Sequence, residues 1–478
     1  MEAAVQERSG RTLAVGRGRA ARARAIPLGL ALAAFALAFA QRPGLDTADT
    51  KVNLHVDPVR FLSDLISVWS PTASLGHVQG GQYSGYLWPM GPFFAAGHGL
   101  GISGWVTERL WLGALFALAA WGAVRLGDEL LGRRRGVTHL VAGAAYMVNP
   151  YVVVFANRTS IFLLAYAALP WLMLIAHRGL RNPRGWWWPA AFALLTTSTG
   201  GGVNATVTAL VMIGPILLVL YAVAIGEIAL RAAVSFSWRT ILATGAASVW
   251  WVAPLLVQSR YGLNFLAFTE QVGAIWGTTS LTEGLRLMSY WPSYLGVGFG
   301  DRLLPYFNDS PTMLFNPAVV LSSLLVPALA LGGYAWTRRR RYAPLLLACG
   351  LVALLVMSVG YPNGTLLRSG VTFIYNRVAA VQFLRTTYKA GPVLALAVAM
   401  LLGTAAGVAS GRIPRVAGRG VLLAVTAALL VLSALPMFEG KGLELTFKRV
   451  PPDWGQARPE PNLTPPANRH ALVLPHQA

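Results

Sequence analysis

The stretch QRPGLDTADTKVNLHVDPVRFLSDLISVW, residues 41–69, follows the first hydrophobic segment of the chain and holds Asp46, Asp49, Asp57 and Asp64. The whole sequence has only 18 acidic residues against 39 Lys and Arg, for a formal net charge of +21. Carboxylates gathered where an apolar segment has just ended mark a polar loop at a membrane surface. Two readings of its aspartates compete. In one, a carboxylate of the Asp46/Asp49 pair is a general base that takes a proton from an incoming hydroxyl. In the other, the aspartates are solvated loop residues and helix caps. For Asp57 the second reading wins. Asp57-Pro58 followed by Phe61, Leu62, Leu65, Ile66 and Trp69 spells an N-cap, a proline at the first helical position and a short amphipathic helix lying in the interface.

Composition supports the membrane reading. Hydrophobic residues make up 55% of the chain and charged residues 12%, whereas soluble domains carry about 25% charged residues. The expected fold is therefore an all-α polytopic membrane protein. Its positive charge is almost entirely arginine. Arginine runs between apolar segments follow the positive-inside rule, so the charge needs no nucleic-acid partner to explain it. The single Cys349 lies in an apolar run and reads as core packing.

The chain begins with an arginine-rich leader, residues 1–25, expected in the cytoplasm and followed by an uncleaved anchor. Hydrophobic runs near Ile26–Ala40, Val106–Leu126, Thr138–Phe155, Ile161–Ala176, Trp186–Thr199, Ala205–Ile225, Ile241–Val257, Phe315–Trp336, Leu345–Val359, Pro392–Val408 and Val421–Met437 give about eleven crossings. Trp186–Thr199 has a re-entrant alternative, because TSTGGG is a poor helix end within lipid. The motifs GDELLGRRRG, HRGLRNPRG, EIALRAAVSFSWR, TRRRRYAP and SGRIPRVAGRG punctuate the runs and face the cytoplasm in this scheme. The division expected is a leader at 1–25, a transmembrane domain at 26–438 with a first external loop at 41–105, and an external tail at 439–478. That proline-rich tail is too small to bury a core of its own.

Aromatics crowd GHVQGGQYSGYLWPMGPFFAAGHGLGISGW, residues 76–105, and suit either a headgroup belt or a sugar-stacking surface. His77 and His98 are too far apart there to argue for a metal. Two later external passages carry further candidates. Arg260, Glu270, Glu283, Asp301 and Asp309 lie in the first, and Arg377, Arg385 and Lys389 in the second. Arg260 has an interface-anchoring role as its alternative. Arg385 and Lys389 are four apart and would share one face of a helix. Basic residues held outside, close to the membrane, are what a lipid-linked phosphate needs, with phospholipid headgroup anchoring as the competing explanation. Together the two sides offer a carboxylate to activate a hydroxyl and cations to hold a leaving phosphate.

Five strings, QRPGLDTADTKVNLHVDPVRFL, GYLWPMGPFF, GWVTERLW, WWVAPLLVQSRYGLNFLAFTE and FLRTTYKAGP, carry a family resemblance. From about Gln41 to Pro436 the sequence resembles the N-terminal membrane half of the large actinobacterial α-(1→3)-arabinofuranosyltransferases, the AftD-like GT-C glycosyltransferases. The resemblance implies transfer of arabinofuranose from decaprenylphosphoryl arabinose to arabinan of arabinogalactan and lipoarabinomannan, on the outer face of the plasma membrane. It implies an acidic site residue in the first external loop, matched by Asp49 with Asp46 in reserve, and a second at Glu270. It also implies an inverting single displacement with no obligatory metal or other cofactor. Members of the family continue into a large external, carbohydrate-binding portion, so here the tail is expected to be the stub of such a portion, missing or separately encoded. The alternatives are another polyprenyl-phosphate-sugar transferase, for example mannosyl, and a polyprenyl-linked sugar transporter or an inactive membrane scaffold. A transporter would place ionisable residues at mid-bilayer, where these spans are nearly free of them.

Overall fold

The structure, a computed structural model, describes residues 25–447 apart from 48, 50, 71–75, 80, 134, 263–269, 300–301 and 444–445. The leader, most of the tail and Asp301 lie outside the described residues. Each of the eleven expected apolar stretches coincides with a helix. Among the described residues eight helical segments are long and apolar enough to cross a membrane, and Ala25–Phe39 and Ala343–Ser358 are shorter apolar helices. The remaining one, Trp187–Thr197, has 11 residues, about 16 Å at the usual rise and short of the ~30 Å hydrocarbon core. It runs into Gly200, whose φ of +77° a side chain would resist. A Cβ on the nearby Gly202 would lie 2.7 Å from Gly85 Cα, so the glycine loop keys directly into the turn at Gly81–Leu87.

Packing sorts these helices into a core and a lipid-facing shell. The segment Val137–Ala156 has 89% of its apolar window buried, whereas Leu230–Tyr261 and Val416–Ser433 have 11% each and expose Leu242, Val249, Leu256, Val421 and Val425. Gly403 and Gly407 sit one turn apart on the buried helix Gly391–Arg412, and any side chain there would collide with Thr138. Small residues allow this close helix contact where lipid offers no hydrophobic drive for association.

The helix Gly104–Leu130 carries charges near both ends. Asp128 and Glu129 stand about 30 Å from Glu108 along it. At that far end Asp128 accepts from Arg135 (2.5 Å) and Glu129 from Arg178 (2.7 Å). Glu227 bonds Arg181 and Tyr342 (2.6 Å each). These pairs gather the arginine-rich loops into one charged layer, away from the loops that carry the candidate site.

One break in the buried core positions that site. Asn149 leaves helical geometry and accepts from the Val152 amide (3.3 Å), with Pro150 opening the new helix Pro150–Ala156. The Asn149 Nδ2 donates to the Tyr166 hydroxyl at 2.7 Å, which fixes the break in place. The redirected helix ends at Ala156 and presents the turn Asn157–Phe162.

Candidate active site

Asp49 is buried to 1% exposure, directly beneath that turn. Its Oδ1 accepts from the Ser160 amide at 2.9 Å, and its Oδ2 accepts from the Ser160 hydroxyl. Ser160 opens a 3-10 turn, Ser160–Phe162, which continues into the helix Leu163–Leu180. The first amides of a helix lack intrahelical partners and carry the positive end of its dipole, so a carboxylate is stabilised there in ionised form. Trp111 from the neighbouring helix donates its indole N–H to the same hydroxyl at 3.0 Å.

The first external loop is splinted against that neighbouring helix by two consecutive residues. Arg109 is wholly buried and donates to the carbonyls of Gln41 and Leu45, at 3.0 Å each, and to Glu108 at 2.5 Å. Glu108 in turn accepts from the Thr47 amide at 3.2 Å. Between these anchors Asp46–Thr47 forms a two-residue antiparallel strand pair with Thr446–Phe447, the end of the described chain. Asp46, the reserve carboxylate, lies 3.8 Å from the buried His55 ring. Burial alone would lower the pKa of that imidazole. The Asp46 contact and the charges of Glu108 and Asp49 outweigh burial and raise it. Asp57 is confirmed as a cap, accepting from the Arg60 amide at 3.0 Å at the head of the helix Pro58–Leu65.

The cationic side is built from three segments. Lys389 is buried to 3% exposure with its ammonium 4.6 Å from the Phe162 ring centroid and 5.8 Å from that of Tyr388. Among the described residues it has no carboxylate at ion-pair distance. Arg385 pairs with Glu270, Nη2 to Oε1 at 3.3 Å. Arg158 stacks over Tyr306 at 4.6 Å and Phe307 at 5.7 Å. Tyr290, against Phe155 and Phe307, completes an aromatic wall; burial pushes its hydroxyl up to about 12.

The shared helical face expected for Arg385 and Lys389 is not formed. Arg385 ends one 3-10 stretch, Ala379–Arg385, and Lys389 lies in another, Thr387–Ala390. Thr386 breaks the helix between them with φ −87° and ψ 61°. The break turns Arg385 toward Glu270 and Lys389 toward Phe162. Arg377 and Arg260 are exposed, and their ring contacts are local, to Phe373 at 4.3 Å and Tyr261 at 5.7 Å. Glu283 pairs with Arg286 at 2.8 Å beneath Tyr294, a structural pairing in its own loop. Among the described residues no group of three or more His, Cys, Asp or Glu could hold a metal ion.

Sequence reasoning missed Ser160, Arg158, His55, Glu108 and Arg109. The turn Asn157–Phe162 was legible as an external loop, but nothing in its spacing points to Asp49, 111 residues away from Ser160. Glu108-Arg109 near the head of an apolar helix was the available signal, since an ionisable pair in a span is costly unless used. A cleft of about 70 Å³ opens beside these loops, between Leu65, Ile66 and Val68 on one side and Trp250 and Pro254 on the other. Tyr83 lines it and accepts from the Lys51 ammonium at 3.0 Å, two residues beyond Asp49.

Comparison with known proteins accords with this architecture. Residues 33–478 match the family described as alpha-(1->3)-arabinofuranosyltransferase, N-terminal GT-C domain. The chain is 32% identical over 368 residues to the alpha-(1->3)-arabinofuranosyltransferase of Mycobacterium tuberculosis, covering 76% of this chain and 25% of that protein. The Mycolicibacterium smegmatis protein of the same name is 30% identical over 328 residues, covering 69% of this chain and 22% of that protein. A cryo-EM structure of the mycobacterial arabinofuranosyltransferase AftD superposes with a TM-score of 0.68 at 25% identity, over 90% of this chain and 28% of that one. The chain thus spans about a quarter of the length of the curated relatives it matches. It belongs to the α-(1→3)-arabinofuranosyltransferase family, as a polytopic membrane protein with that family's N-terminal GT-C domain.

Proposed function

We propose that the chain transfers arabinofuranose from decaprenylphosphoryl arabinose to cell-wall arabinan at the outer face of the plasma membrane. One observation carries the reading. The turn Asn157–Phe162 touches the carboxylate of Asp49 through Ser160 and the ammonium of Lys389 through Phe162, two residues apart. In a 3-10 turn that separation is about 4 Å of rise. A buried carboxylate and a buried cation on the two sides of one turn are the two charges that a displacement at a sugar phosphate requires.

In this scheme Asp49 takes the proton of the acceptor hydroxyl as its oxygen attacks the anomeric carbon. The bond from that carbon to the phosphate oxygen breaks, and its electron pair leaves with the polyprenyl phosphate. Lys389, Arg385 and Arg158 stabilise the charge that grows there. The displacement inverts the anomeric centre and needs no covalent enzyme intermediate. Asp46 and Glu270 stand as the secondary carboxylates. Both principal groups are almost fully buried, so substrate enters by parting the loops above them, and exclusion of water then strengthens their electrostatics.

The test is transfer from labelled decaprenylphosphoryl arabinose to a short arabinose acceptor by the protein in lipid nanodiscs. Arabinosyl transfer with inversion is expected. Transfer only from a mannosyl donor, or no transfer from either, would contradict the reading.

A further inference from the structure

Ser160 meets Asp49 with more than a helix start requires. To satisfy its own unpaired amide, Ser160 needs one carboxylate oxygen, and Oδ1 supplies it at 2.9 Å. The hydroxyl makes a second bond to the other oxygen, Oδ2. Behind it stands Trp111, whose indole N–H is a donor only. At 3.0 Å the indole occupies a lone pair of Ser160 Oγ, so the serine proton is left to Asp49. All three side chains are nearly inaccessible, at 5%, 0% and 1% for Trp111, Ser160 and Asp49. Trp111 is itself wedged against Phe93 at 5.3 Å. The chain Trp111 to Ser160 to Asp49 therefore fixes both the direction of the hydroxyl and the plane of the carboxylate.

We propose that Ser160 and Trp111 are positioning residues that hold Asp49 in its reactive orientation, an inference that rests on reading Asp49 as the base. The hydroxyl bond to Oδ2 restrains the carboxylate plane in addition to the amide bond to Oδ1. It also stabilises the ionised form, which is the form able to accept a proton.

The test compares Ser160→Ala, Ser160→Thr and Trp111→Phe, each alone and combined with Asp49→Asn, using lipid-donor transfer in nanodiscs. Ser160→Ala is expected to lower kcat by about tenfold or more with the donor KM unchanged. Its acid limb should move to higher pH, because a bond to the charged carboxylate is gone. Ser160→Thr restores the hydroxyl and most of the rate, and Trp111→Phe gives a smaller loss in the same direction. In the Asp49→Asn background none of the three adds a further loss.

Parental kcat and acid limb in Ser160→Ala would overturn the positioning role while leaving Asp49 as base. So would losses that multiply with Asp49→Asn. Near-parental turnover by Asp49→Asn alone would remove the base reading and this inference with it. If Ser160→Ala does not fold, Trp111→Phe carries the same test through the hydroxyl's orientation.

Discussion

Arg385 and Glu270 are joined twice, through the carboxylate at 3.3 Å and through the Glu270 backbone carbonyl, which accepts from Arg385 Nη1 at 3.0 Å. Trp276 holds the other end of this join, donating to the Arg385 carbonyl at 3.1 Å. The guanidinium is thus tethered by its neighbours, whereas Lys389 lies against the Phe162 and Tyr388 rings and, among the described residues, has no carboxylate at ion-pair distance. A charge-assisted hydrogen bond contributes about 1.5–3 kcal/mol. Lys389→Gln is accordingly expected to weaken binding of a decaprenylphosphoryl sugar by about tenfold or more, and Arg385→Gln to add to that loss. Equilibrium binding to the protein in nanodiscs measures both. Unchanged binding in the double variant would reduce the pair to packing residues.

Gln41 joins the two ends of the described chain. Its amide donates to Met437 O at 2.6 Å and to Leu37 O at 2.9 Å, and its carbonyl oxygen accepts from the Gly442 amide at 2.8 Å. Gln41→Ala strands these buried groups, at about 1–3 kcal/mol for each left unsatisfied. The expected result is faster proteolysis beyond Phe438 and a lower thermal midpoint, with the transmembrane helices intact.

Much of this architecture is legible in the sequence because it is local. Apolar runs report helices, and all eleven stretches are helical; Asp57-Pro58 reports its own cap. The site is another matter. Ser160 meets Asp49 across 111 residues and Arg385 meets Glu270 across 115, and no periodicity encodes such pairings. The helical-face argument for Arg385 and Lys389 failed for a local reason: Thr386 leaves helical geometry, and spacing by four has meaning only in an unbroken helix.

His55 makes the first external loop sensitive to pH. Its folded pKa is raised above the ordinary 6.5 because Asp46, Glu108 and Asp49 together outweigh burial. The protonated ring therefore contributes stability that is fully present below the unfolded value and is lost as pH rises through the folded one. Thermal unfolding should show the protein losing stability as pH rises above the ordinary imidazole value of 6.5, and His55→Gln should flatten that slope. An equal slope in the variant would place the titrating group elsewhere.

The arginine pattern predicts orientation. Reporter fusions after Gly136, Arg340 and Arg415 should report cytoplasm, and fusions after Asp57 and Asn363 should report outside. Reversal at either external position would move the Asp49 loop to the wrong side of the membrane for a reaction on the outer face.

The central claim is that Asp49 is the base and not only a cap for the helix start at Ser160. Asp49→Asn keeps the size and an oxygen that can accept from the Ser160 amide, but it removes the proton acceptor. The decisive measurement is turnover of labelled decaprenylphosphoryl arabinose by Asp49→Asn, beside its donor binding and thermal midpoint, with Asp57→Ala as the capping control. A general base contributes typically 10²–10⁴-fold, so turnover should fall by about 10² or more while donor binding and folding survive. Asp57→Ala should cost about 1 kcal/mol of stability and little rate. Near-normal turnover by Asp49→Asn would contradict the account and pass the role to Asp46 or Glu270.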